Sequence, residues 1–152
     1  MPIPSQRTPD RFKRGAQAYR DGLVAAQVAS ATFDPSANTA QRPVGAYGLG
    51  VYIPVNATIV RSWYEVLTAF TSAGGNTGTV ALSVEAANDI KTATAVSDAT
   101  LGTTGIKAGV SDGTTANMKK TTAERQLTAT VATQALTAGK LRVFVEYVVT
   151  GA

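Results

Sequence analysis

The chain of 152 residues contains neither cysteine nor histidine. Without cysteine there is no disulfide framework and no thiolate nucleophile, and the composition carries no mark of a redox compartment. Without histidine, imidazole acid–base catalysis and the commonest zinc and iron ligand are gone. Together the two absences remove most enzyme mechanisms, so the expectation is a non-enzymatic protein without a cofactor. Long apolar runs are missing as well. None approaches the roughly 20 residues of a membrane-spanning helix, and the N-terminus lacks the apolar stretch of a secretory signal. A soluble chain with no membrane contact is expected.

What is present is strand pattern. A chain of this length reads as one domain, able to bury about 70% of its unfolded surface. It is organised around residues 59–86, which read as two long strands joined by a glycine-rich turn, a hairpin. Val80, Leu82, Val84 and Ala86 alternate with Ala81, Ser83 and Glu85, the period of a strand with one wet face. In the preceding strand Val60, Tyr64, Val66 and Phe70 share one side, with Arg61, Trp63, Glu65 and Leu67 opposite. The turn between them, Ser72-Ala73-Gly74-Gly75-Asn76-Thr77-Gly78, supplies residues that tolerate positive φ.

Elsewhere the pattern is coarser. Residues 23–33 are small and weakly alternating, compatible with a strand or a helix, and residues 34–43 read as a loop. Tyr47, Leu49, Val51 and Ile53 alternate into a strand that Pro54 stops. Residues 87–124 are polar, and a structureless connection of that length is uncommon in a compact domain, so short strands and surface loops are expected there. Alternation returns at Leu127, Ala129 and Val131. Ala138-Gly139 reads as a turn before a terminal strand of Leu141, Val143, Val145, Tyr147 and Val149, with Arg142 and Glu146 on its other side. Six or more strands and few helices make an all-β, single-domain β-sandwich of jelly-roll or Greek-key type, residues 22–152.

Ahead of it lies a basic N-terminal arm, residues 1–21. Arg7, Arg11, Lys13, Arg14 and Arg20 stand there against Asp10 and Asp21, which gives the arm +3 of the chain's net +4. Thr8-Pro9-Asp10 reads as the start of a short helix that Gly22 ends, with Phe12, Ala16 and Tyr19 on one face. About three turns of helix are marginal alone, so it should form fully when Phe12 and Tyr19 find a surface. The candidate docking residues are therefore Arg7, Arg11, Phe12, Lys13, Arg14, Tyr19 and Arg20, with the cations facing carboxylates or phosphates; the alternative is a solvated tail. The body has no basic stripe, which argues against direct nucleic-acid binding.

Other candidates are weaker. Asp89, Asp98, Asp112 and Glu124 read as solvated loop acids; none has glycosidase or metal-site spacing, and Asp112-Gly113 reads as a turn. Gly48-Leu49-Gly50 and Gly74-Gly75 lack the context of a phosphate loop. A Ser–Lys dyad is left open by spacing alone. Trp63 and Tyr64 must point to opposite faces. Tyr64 belongs with the core, which leaves Trp63 either covered by a loop or second sheet or placed at a subunit interface, where large aromatics concentrate.

Two stretches, LGVYIPVNATIVRSWYEVLTAFTSAGGNTGTVALSVEA and TTAERQLTATVATQALTAGKLRVFVEYV, together resemble small virion proteins of tailed bacteriophages, in particular capsid decoration (cement) proteins. The resemblance spans roughly Leu49 to Val148. It implies a non-enzymatic protein on the outer surface of the head, made in the host bacterial cytoplasm, with the major capsid protein as partner and a homotrimer as assembly. It also implies an N-terminal arm reaching over neighbouring subunits. A phage fibre or adhesin module that binds host-surface glycans is the alternative, suggested by the jelly-roll pattern and the long polar region.

Overall fold

The computed structural model describes residues 25–151. The basic arm, the short helix expected in it and the seven candidate docking residues lie outside the described residues. Nine strands follow: β1 (Gln27–Phe33), β2 (Gly45–Ile53), β3 (Ala57–Ser72), β4 (Thr79–Ser83), β5 (Lys91–Ala95), β6 (Gly105–Asp112), β7 (Lys119–Lys120), β8 (Arg125–Ala132) and β9 (Leu136–Val149). One sheet has the order β1-β9-β3-β6, with the two-residue β7 also on β3, and the other has β2-β8-β4-β5. All pairings are antiparallel. Leaving β7 aside, the first and last strands pair and the chain crosses between sheets at nearly every connection, which is the winding of an eight-stranded jelly roll. Residues 23–33, open between helix and strand, are a strand from Gln27.

The central pair of strands is not a hairpin. β3 lies in one sheet and β4 in the other, so the glycine-rich segment carries the chain across the sandwich. Alternation and turn residues announce a reversal but do not say which sheet receives the next strand. The crossing is the single turn α1 (Ala73–Asn76), where Gly74, Gly75 and Asn76 have φ of 63°, 82° and 61°. Asparagine and glycine tolerate that left-handed region. Asn76 Oδ1 accepts from the Ser72 amide at 2.9 Å, and Ser72 Oγ accepts from the Gly78 amide at 2.9 Å.

Two further expectations change. Val60 does not join Tyr64 inside, because β3 shifts register between Ile59 and Arg61. Ala57 and Ile59 point inward before the bulge, and Ser62, Tyr64 and Val66 after it. A bulge inserts one residue and so reverses the parity that simple alternation assumes. Nor does Ala138-Gly139 form a turn: β9 runs through it. Gly139 has φ 141°, and a Cβ there would overlap the Phe70 ring. The polar region 87–124 is largely built, holding β5, the turn α2 (Ala99–Gly102), β6 and β7.

The core lies between the sheets. Phe33, Ile59, Tyr64, Val66, Phe70, Leu141, Val143 and Val145 meet Ile53, Val80, Leu82, Leu127, Ala129 and Val131, each at most 2% exposed. At one end Phe33 stacks between Tyr47 and Phe70, with centroids 6.2 and 6.1 Å away. Burying each large apolar side chain is worth about 1.5–3 kcal/mol, which explains how a body without disulfides holds together.

Gly139→Ala combines a disfavoured φ with overlap on Phe70 and should cost about 3 kcal/mol. At Gly105, φ 116°, an added Cβ meets nothing within 4 Å, so Gly105→Ala should cost only about 1 kcal/mol. Urea unfolding midpoints of the two variants check the difference.

Candidate interaction surface

On the outer face of the first sheet, β3 and β9 set three residues of each strand opposite one another: Arg61 with Glu146, Trp63 with Phe144, and Glu65 with Arg142. Period two puts all six on the same side. The Trp63 and Phe144 rings lie nearly parallel, 9° apart, with centroids 5.3 Å from each other. Trp63 is thus half-buried on the outer face, and its cover comes from its own sheet, a third arrangement beside the two the sequence left open. Ile106, on β6 beside Glu65, is 74% exposed, and Val28, on β1 beside Glu146, is 57% exposed. Phe144 went unrecognised in the sequence. The signal was there: Arg-x-aromatic-x-Glu occurs at 61–65 and again at 142–146.

The loop acids organise backbone. Asp89 is not solvated: 4% exposed, it accepts from the Val84, Glu85 and Ala86 amides at 2.8 Å each, which ties the end of β4 into a closed turn. Asp98 caps α2 through the amide and hydroxyl of Thr100, and Asp112 accepts from both groups of Thr114 and from Asn117 Nδ2. These bonds hold both carboxyls below their ordinary range. Glu85 takes Arg125 Nε at 2.8 Å and the Thr122 hydroxyl, and its carboxyl falls to about 2, chiefly through Arg125. No group of three or more acidic residues able to hold a metal occurs among the described residues, and none of their helices is long and apolar enough to cross a membrane.

The buried polar groups are matched. Thr121 gives its hydroxyl to the Pro54 carbonyl at 2.6 Å and accepts from the Ala57 amide at 2.9 Å, which fixes the turn into β3. Lys91, 3% exposed, borders an open cleft of about 120 Å³ beside Tyr64, Thr94 and Thr100. Its ammonium donates to the Val80 and Thr92 carbonyls and to Thr94 Oγ1, and sits 5.7 Å from the Tyr64 ring centroid. All three protons are used on structure, and no serine is among its partners, so this lysine is not the half of a Ser–Lys dyad. Burial lowers it to about 8, with Asp98 pulling the other way.

Neither family models nor curated protein sequences give a match to the chain. Solved structures do. A chain of the cyanophage Pam1 capsid asymmetric unit superposes with a TM-score of 0.61 at 18% identity, over 83% of this chain and 86% of that one. A chain of the acid-stable capsid of Helicobacter pylori bacteriophage KHP30 gives 0.58 at 18%, over 85% and 92%. One of the capsid of Ralstonia phage GP4 gives 0.57 at 17%, over 86% and 87%. The fold of this chain is therefore one that occurs in phage capsids.

Two pH effects follow from the site. Lys91 has a folded value below its ordinary 10.5, so the unfolded chain binds the extra proton and stability should rise between about pH 8 and 10.5. Relative to Lys91→Met, the rise should be of the order of 3 kcal/mol. For Glu85, lowered from 4.5 to about 2, stability present above pH 4.5 should be lost as pH falls toward 2, and Glu85→Gln should flatten that part of the curve. The effect is modest because the group is partly solvated. Urea unfolding across both pH ranges reads each difference.

Proposed function

We propose that this chain is a bacteriophage capsid decoration protein, which binds the outer surface of the head, against the major capsid protein, and stabilises the shell through contacts that span subunits. The observation that carries the reading is the jelly roll shared with chains of three phage capsid structures over more than four-fifths of the sequence. The resemblance to cement proteins and the missing imidazole and thiol agree with it. The 87–124 region holds β5, α2, β6 and β7 between its loops, so a glycan-binding module has less free loop to draw on and rests chiefly on the jelly roll.

In this role the body is a rigid unit and the arm is the grip. Arg7, Arg11, Lys13, Arg14 and Arg20 meet acidic groups of the shell, with Phe12 and Tyr19 as apolar anchors. An extended segment buries much surface for little mass and gains its order on binding. Attachment to the assembled shell stabilises that state by mass action. Trp63 serves as a contact between copies, and the assembly is a homotrimer closed through the half-apolar edge of the sandwich.

Purified protein mixed with undecorated heads should co-sediment with them. Protein lacking residues 1–20 should remain folded and co-sediment weakly, and attachment of the intact chain should fall as salt screens the arginines. Failure to co-sediment at any salt concentration contradicts the role; equal attachment by the truncated chain contradicts the grip. Mass measurement of the free protein by light scattering tests the trimer.

A further inference from the structure

The outer face of the first sheet has a two-fold pattern of its own. Reading across β1, β9, β3 and β6, one row is Val28, Glu146, Arg61 and Asp112, the next Ser30, Phe144, Trp63 and Ala108, and the third Thr32, Arg142, Glu65 and Ile106. Turned by half a rotation about the sheet normal, Arg61 falls on Arg142, Glu146 on Glu65, Trp63 on Phe144 and Val28 on Ile106. Asp112 is the one charge that breaks the pattern. The two cations thus occupy one diagonal of the β3–β9 patch and the two carboxylates the other. Within each row the charged groups do not close on each other: among the described residues, the ion pairs within 4.0 Å are Arg125–Glu85 and Lys140–Asp34. Arg61 and Arg142 are exposed.

A square of alternating charges around an apolar centre is complementary to itself. When a second copy is laid face to face about a two-fold axis in the sheet plane, along or across the strands, every cation meets a carboxylate and the aromatic pair meets an aromatic pair. An axis on the diagonal would set like charges together, so the pattern also selects the orientation. We infer that this face is a two-fold contact between two copies of the chain, centred on Trp63 and Phe144, with Arg61, Arg142, Glu65 and Glu146 as its charge-matched frame. Isologous contacts of this kind are the commonest in soluble assemblies, and stacked sheets keep their strands near alignment. Four strands about 4.8 Å apart and about 20 Å long cover roughly 400 Å² on each copy, about 800 Å² in total, the size of a weak, transient contact. Such a contact is weak in free solution and gains from any surface that concentrates the copies. The inference does not depend on shell binding, and it is compatible with a trimer closed through another surface.

The test is the mass of the full chain by sedimentation velocity, from micromolar concentrations to about 1 mM. The natural chain should show a concentration-dependent step that doubles its mass. Two charge-reversed chains, Arg61→Glu/Arg142→Glu with an all-negative frame and Glu65→Arg/Glu146→Arg with an all-positive one, should each lose at least about tenfold in affinity for themselves. Mixed in equal amounts, they should form the doubled species again. That recovery guards against misfolding, because an unfolded chain cannot restore a specific pair, and adding Trp63→Ser to both chains should abolish it. The inference is overturned if the natural chain shows no doubling up to about 1 mM, which leaves the face to residues 1–24 or to another protein. It is equally overturned if the reversed chains pair with themselves as well as the natural chain does, or if their mixture fails to pair.

Discussion

The structure depends on one ladder, the long antiparallel pairing of β3 with β9. These strands of 16 and 14 residues sit side by side in the middle of a sheet, and their register decides both faces at once. Tyr64 opposite Val143 and Val66 opposite Leu141 close the core; Trp63 opposite Phe144, with a charged pair on either side, makes the outer surface. Slipping the pairing by one residue would exchange the two sets, exposing apolar side chains and burying two arginines and two glutamates. A sequence with both faces so differently coloured tolerates one register only.

The rest of the body holds that ladder in place. Bulges in β3 bend it around the core, and Gly139 lets β9 pass close to Phe70. At the ends, polar side chains replace missing sheet partners. Asp89 closes the turn after β4, Thr121 fixes the entry to β3, and Lys91 joins carbonyls of β4 and β5. Each buried side-chain nitrogen and oxygen among the described residues has a partner, so burial of these groups is compensated. Such economy suits a shape that must persist more than one that must move.

Much of this was legible in the residues. Clean alternation at 127–131 and 141–147 placed β8 and β9 with the correct faces, and the odd–even split put Tyr64 inside and Trp63 out. Sheet membership was not legible. Turn chemistry around Gly74 and Gly75 reports that the chain reverses, whereas the choice between hairpin and crossing is made by β9 and β6, which flank β3 from more than 30 residues away. The phase of β3 before Arg61 was missed for a related reason: a bulge needs no signature residue. The outer patch was half visible. Trp63 stood out as the single tryptophan, but its partner depended on β9 pairing with β3 in one register, and only that register turns two separate Arg-x-aromatic-x-Glu segments into one surface.

Fold, patch and proposed role converge on a stiff unit that works by contact. Its inner face forms the core, and its outer face carries the Trp63–Phe144 patch. Hydrogen–deuterium exchange tests the central claim most directly. With β3 and β9 as the spine, the ladder amides of Ile59–Val66 and Leu141–Tyr147, each strand flanked on both sides, should exchange last, at the rate of global unfolding, while the edge strands β1 and β5 exchange earlier through local opening. If the β3 and β9 amides exchange as fast as those edges, the ladder does not hold the molecule together and the account is wrong.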